Sequence, residues 1–133
     1  MNNKGIIRLD ITFSVLICIA LAVIYWLSYN QEQARIRDTI RLADIKQVQT
    51  AFELMYKNVK TYVPASCQVD NLVSQCNLEE YLPTIKRIKD PEANQYVVKE
   101  APSNSGYAIS FFLEGSYGNL GEGEHILSEE GIE

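Results

Sequence analysis

The side chains in this chain that could do chemistry are few and scattered. Cys67 and Cys76 stand nine positions apart in a loop-like stretch after Pro64. An even pair of cysteines in one globular stretch suggests a disulfide and an oxidising compartment. Two unrelated thiols are the plainer alternative. A zinc site has less support, because the single histidine is His125 and no second cysteine pair exists. His125 has no nucleophile partner in view and reads most simply as a strand residue. Glu122, Glu124, Glu129 and Glu130 crowd a glycine-rich segment. They could offer oxygens to calcium, but a calcium site needs about six to eight oxygens from a fixed loop. Glu122 and Glu124 are therefore weak metal candidates, and a solvated acidic hairpin is the plainer reading. No cofactor is otherwise indicated. The serines fall in turn contexts, and no glycine loop that would cradle a phosphate precedes a helix. No catalytic constellation is visible, so an enzyme is not expected.

The element that dominates the chain is apolar. Residues 11–29, ITFSVLICIALAVIYWLSY, contain no charge, Pro or Gly. At 1.5 Å per residue they span about 28 Å, close to the ~30 Å of a hydrocarbon core. A secretory signal peptide is the obvious competitor. Against it, the run is longer than a usual h-region, and helix formers follow it rather than a small-residue cleavage site. Tyr25, Trp26 and Tyr29 gather at its far end, where an interfacial aromatic belt would sit. Cys18, inside the run, reads as a small hydrophobe. Orientation is not set by charge, since Lys4 and Arg8 on one side face Arg35, Arg37 and Arg41 on the other.

Only Lys4, Arg8 and Asp10 carry charge before residue 30, so of 12 basic and 17 acidic residues, 10 and 16 lie beyond it. That acidic balance argues against nucleic-acid binding, which needs clustered Lys and Arg.

From Ile6 to about Tyr62 neither Pro nor Gly interrupts the chain. Beyond the apolar run, Ile36, Ile40, Ala43, Ile45, Val48, Phe52, Met55, Tyr56 and Val59 recur at three- and four-residue spacing and predict one apolar helical stripe. Arg37, Arg41, Asp44, Lys46, Gln49 and Glu53 are assigned to the polar faces. Pro64 is expected to end the helix. Residues 64–93 then read as a connecting region, with a short helical turn at NLEEYL capped by Asn77. Strand signals follow at NQYVVKE, GYAISFFLEG and HILSEEGI, with turns at SNSG and GNLGEGE. The expected fold is α+β: a long N-terminal helix, half in a membrane and half soluble, packed on a small C-terminal antiparallel meander. The divisions are a leader at 1–5, a transmembrane or assembly half at 6–30, and a soluble domain at 31–133, with the helix to about 62 and the sheet at about 94–130.

This whole-chain pattern resembles the type IV pilin-like proteins, a family of pilins, competence pseudopilins and type II secretion pseudopilins. The residues that carry the resemblance are the MNNKG leader, Asp10, the apolar run, RLADIKQVQTAFELMYKN, the KDP turn, and GYAISFFLEG…LGEGEH…GI. The resemblance implies cleavage by a prepilin peptidase between Gly5 and Ile6, methylation of the new amino terminus, and assembly with copies of itself or related subunits. Asp10 stands five residues after Gly5, where the family has Glu, and Arg8 stands where an apolar residue is usual. A minor or divergent subunit fits these departures.

A carboxylate at the start of an apolar helix is costly unless paired. In a filament, Asp10 can pair with the free amine of a neighbouring subunit and so set the axial register. A helix N-cap is the plainer role for Asp10. The resemblance places the chain in the inner membrane as a single-pass protein with its C-terminal domain outside the cytoplasm, and later in a pilus or pseudopilus. The alternative is an unprocessed single-pass membrane protein with a small extracytoplasmic binding domain.

Overall fold

The computed structural model describes residues 3–92 and 94–133, with side chains from Ile11 onward. Helix α1 spans Asn3–Val59. Four strands follow: β1 Val97–Glu100, β2 Ala108–Leu113, β3 Gly123–Ser128 and β4 Gly131–Ile132. They form one antiparallel sheet in the order β1-β2-β3-β4, a simple meander. The fold is α+β, as the patterning predicts. Contacts divide the chain into two compact units, Met1–Ala34 and Arg35–Glu133.

In the second unit, Ile45, Val48, Phe52 and Met55 of α1 are buried at three- and four-residue spacing. They share a core with Val98, Ile109, Phe111, Leu113 and Leu127 of the sheet. Register explains the sheet's half of that core. Ile109 lies opposite Leu127 and Val98, so one pleat face carries apolar residues across three strands. Phe52 stacks on Tyr107 with ring centroids 4.0 Å apart, and Tyr62 meets both rings edge-on.

The helix stops before Pro64. Lys60 adopts a left-handed conformation with φ 59°, and its N–H donates to the Tyr56 carbonyl. A left-handed residue just past the last turn is a common way to end a helix. The proline therefore acts later, at the first position pair of a short 3₁₀ turn, Val63–Ala65. The residue set expected on the apolar stripe is also corrected. Ile36, Ile40, Ala43, Tyr56 and Val59 are exposed, whereas Asp38 and Arg41 are buried. The buried line follows positions 38, 41, 45, 48, 52 and 55, and Ile36 and Ile40 lie off it.

The region between helix and sheet is more than a connector. Three 3₁₀ turns, Val63–Ala65, Val73–Gln75 and Ile85–Arg87, each bury one apolar side chain: Ala65, Val73 and Ile85. Leu78 is fully buried beside them. Asn77 caps nothing; its amide donates to the Pro64 carbonyl at 3.4 Å, and its backbone N–H donates to Ala65. Cys67 and Cys76 are disulfide-bonded. The loop that they close runs beside β1. Asp70 N–H donates to the Val98 carbonyl, Val98 N–H to Asn71, and Val73 N–H to Tyr96, at 2.8–2.9 Å. The final segment expected as one strand is two, β3 and β4, joined by a tight turn at which Gly131 takes φ 129°. Such a φ is rarely open to other residues.

Candidate functional site

Two features of the chain have no role in the apolar core. The first is the apolar stretch of α1 in the N-terminal unit. From Ile11 it is long and apolar enough to cross a membrane, and its side chains are exposed. Leu16 is 64% exposed, Ile24 60% and Trp26 64%. In water that much exposed apolar surface is unfavourable, which is compatible with a membrane span. Tyr25 and Tyr29 stack one helical turn apart, with centroids at 6.5 Å.

The second feature is a buried charged cluster in the second unit. Arg41 is fully buried on the side of α1 that faces the core. Its guanidinium forks onto Asp90, with Nε donating to Oδ2 at 2.6 Å and Nη2 to Oδ1 at 3.1 Å. Its Nη1 donates to Asp38 Oδ1 at 2.8 Å and also to the Glu114 carboxylate. Arg37, one turn earlier, donates through Nε to Glu114 Oε1 at 2.8 Å and through Nη2 to the other oxygen. Asp38 in turn accepts the backbone N–H groups of Glu114 at 3.0 Å and Gly115 at 2.9 Å. Asp90 accepts that of Glu92 at 2.7 Å.

One side chain thus ties together the helix, the Asp90–Pro91 turn and the end of β2. The planar fork of arginine suits this, because it can satisfy several carboxylates at fixed angles. Bonding to Arg37 holds the Glu114 carboxyl far below its ordinary range, at about 2, against the opposing effect of burial and with the help of Arg41. Burial disfavours the charge on Arg41, but its carboxylate partners outweigh that and hold its pKa above the ordinary value. Nearby, burial raises the Asp44 carboxyl, while the Tyr96 hydroxyl, donating to it at 3.2 Å, pulls it the other way. Among the described residues no buried side-chain polar atom lacks a partner. The cluster is closed on itself: its donors and acceptors are engaged with one another, and what it does chemically is hold three segments in one geometry.

Sequence patterning placed Arg41 on a polar face, and it is buried. The overlooked signal lies in the spacing. Extending the series Met55, Phe52, Val48, Ile45 backward by alternating steps of three and four reaches Arg41 and Asp38. A charge on a buried line calls for partners elsewhere in the chain, and Asp90 of the KDP turn is one.

The other expected positions are distributed as follows. Gly5, Ile6 and Asp10 fall in the part of the chain whose side chains lie outside the described residues. Cys67 and Cys76 are joined as expected. Glu122 and Glu124 are exposed, and Glu124 lies 3.5 Å from the Lys99 ammonium. Among the described residues no group of three or more His, Cys, Asp or Glu side chains is placed to hold a metal ion. His125 lies within β3, as read. No protein family matches the chain, and neither does any curated protein or solved structure.

Proposed function

We propose that this chain is a structural subunit, a pilin or pseudopilin of a type IV pilus or type II secretion pseudopilus. In this reading it is anchored in the inner membrane and assembles through its N-terminal helix. The observation that carries the reading is the double character of α1. One helix supplies an exposed apolar stretch of membrane-spanning length and, farther along, the core face of a small α+β unit. The Cys67–Cys76 disulfide supports an oxidising, extracytoplasmic location for that unit. Asp10, near the start of the apolar run, supplies the carboxylate that a neighbour's free amine would neutralise.

The decisive experiment is expression in a host with a prepilin peptidase and a filament machinery, followed by intact-mass measurement. Cleavage after Gly5 gives a chain beginning at Ile6, and Gly5→Leu should retain the uncut form in the membrane. Asp10→Ala should leave membrane insertion unchanged and reduce filament incorporation, whereas Asp10→Glu should assemble at least as well as the native chain. Intact Met1 on every membrane-bound copy, with no incorporation into filaments, would overturn the proposal in favour of an unprocessed single-pass protein.

A further inference from the structure

His125 sits between two oxygens that can only accept. Its Nε2 is 2.8 Å from the Gly121 carbonyl oxygen, and its Nδ1 is 3.1 Å from the Glu133 main-chain oxygen. A neutral imidazole has one N–H and one bare lone pair. In either tautomer, one of these contacts would set a lone pair against a carbonyl oxygen. Only the imidazolium, with both nitrogens protonated, makes both bonds.

We propose that His125 is a pH-sensitive clasp that, when charged, fastens the glycine-rich turn to the C-terminal strand. The two ends that it joins are otherwise lightly held. On one side is the turn running to Gly123, whose φ of 134° suits glycine alone. On the other is β4, only two residues long, just beyond which Ile126 and Glu133 exchange reciprocal backbone bonds at 2.9 Å in each direction. The same main-chain oxygen of Glu133 therefore accepts from both the Ile126 N–H and the imidazolium. The Phe111 ring on β2, cross-strand from His125 with centroids 5.7 Å apart, backs the imidazole from the core side.

The charged groups on the surrounding elements are mostly acidic. Glu122 and Glu124 precede His125 in sequence, and Glu133 follows β4. Lys99 on β1 is engaged with Glu124, and Lys46 on α1 lines a groove that Leu120 and Ile132 share. Histidine ordinarily changes charge between roughly pH 5 and 8. The imidazole is the group assigned to switch in that range. The clasp is shut in acid. One of its two bonds is lost as the pH rises and the proton leaves.

The test uses the full-length chain in detergent micelles with ¹⁵N NMR. At pH 5.5, both ring nitrogens should show imidazolium shifts with scalar-coupled, slowly exchanging protons. At pH 8.5 one nitrogen should be bare. Across the same interval, protection factors of the Ile126 and Glu133 amides, corrected for intrinsic exchange, should fall roughly three- to tenfold, the scale of one hydrogen bond. In His125→Gln, whose amide offers donors from one end only, protection should stay at the low value at both pH values. The Glu122→Gln/Glu124→Gln double variant should retain the native pH response. Equal protection at pH 5.5 and 8.5 in the native chain would overturn the proposal. So would a pH response that survives His125→Gln or vanishes in the double glutamine variant.

Discussion

Removing the guanidinium of Arg41 is the sharpest perturbation available. In Arg41→Met the methylene stem is largely conserved while three carboxylates lose their common partner. Their side chains are 4% exposed at Asp38, 1% at Asp90 and 20% at Glu114. They do not suffer equally. Glu114 keeps Arg37, and Asp38 keeps two backbone N–H donors. Among the described residues Asp90 keeps only the Glu92 N–H, so it bears most of the cost of a buried, uncompensated charge. Breaking a buried pair from one side typically costs about 3–5 kcal/mol, a large part of the ~5–15 kcal/mol that holds a small domain.

Replacing both partners, as in Arg41→Met/Asp90→Leu, removes the orphan charge. It should cost less than the sum of the single losses by more than about 1 kcal/mol, because the two residues touch. The assay is urea unfolding of the full-length chain in mild detergent, followed by near-ultraviolet circular dichroism of the Phe52–Tyr62–Tyr107 group. Urea leaves the ion pairs unscreened, as guanidinium would not. An Arg41→Met variant within about 1 kcal/mol of the native chain would refute the reasoning, as would strict additivity in the double variant.

Three further outcomes can be checked with the same unfolding assay. Phe52→Ala, which deletes a fully buried ring stacked at 4.0 Å on Tyr107, should cost about 3–5 kcal/mol, whereas exposed Glu53→Ala should stay within about 0.5 kcal/mol. The Glu114 carboxyl titrates at about 2 in the folded chain against an ordinary 4.5. The unfolded chain thus binds the extra proton first, and stability present above about pH 4.5 is lost as the pH falls toward 2. The loss should be at most about 3 kcal/mol, and Glu114→Gln should remove that part of the acid dependence. Cys67→Ser/Cys76→Ser should lower stability by about 2–3 kcal/mol, the chain-entropy scale for so short a loop, and alkylation of the non-reduced native protein should label neither cysteine.

Much of the fold was legible because its signals are local and repetitive. The uninterrupted run from Ile6, the alternation through Tyr107, Ile109, Phe111 and Leu113, and the glycine punctuation each act over a few residues. Less legible were features decided by distant parts of the chain. Arg41 is buried because Asp90 and Glu114 arrive from 49 and 73 residues away. No periodicity in the helix announces that, although the alternating spacing back from Ile45 hints at it. The helix end at Lys60 is not legible in the sequence because a left-handed lysine carries no mark comparable to Pro64. The core residues Ala65, Val73 and Ile85 sit in 3₁₀ turns too short to produce a period, and Leu78 lies between two of those turns. The pairing of His125 with two main-chain oxygens depends on how the chain runs past β4, which composition does not encode.

The loop closed by Cys67 and Cys76 has a consequence for how this chain survives at high local concentration. A sheet ends in rows of unused amide and carbonyl groups, and such a row invites another chain to extend it. On the β1 side, residues 70–73 already occupy part of that row, acting as a borrowed border rather than a true strand. On the far side, β4 is too short to present much of a row. The disulfide keeps the border in place by denying the loop the freedom to peel away. In a reducing environment the border would loosen and β1 would become a template. Oxidation of one cysteine pair thus bears on how much of the β1 edge is left open to another chain.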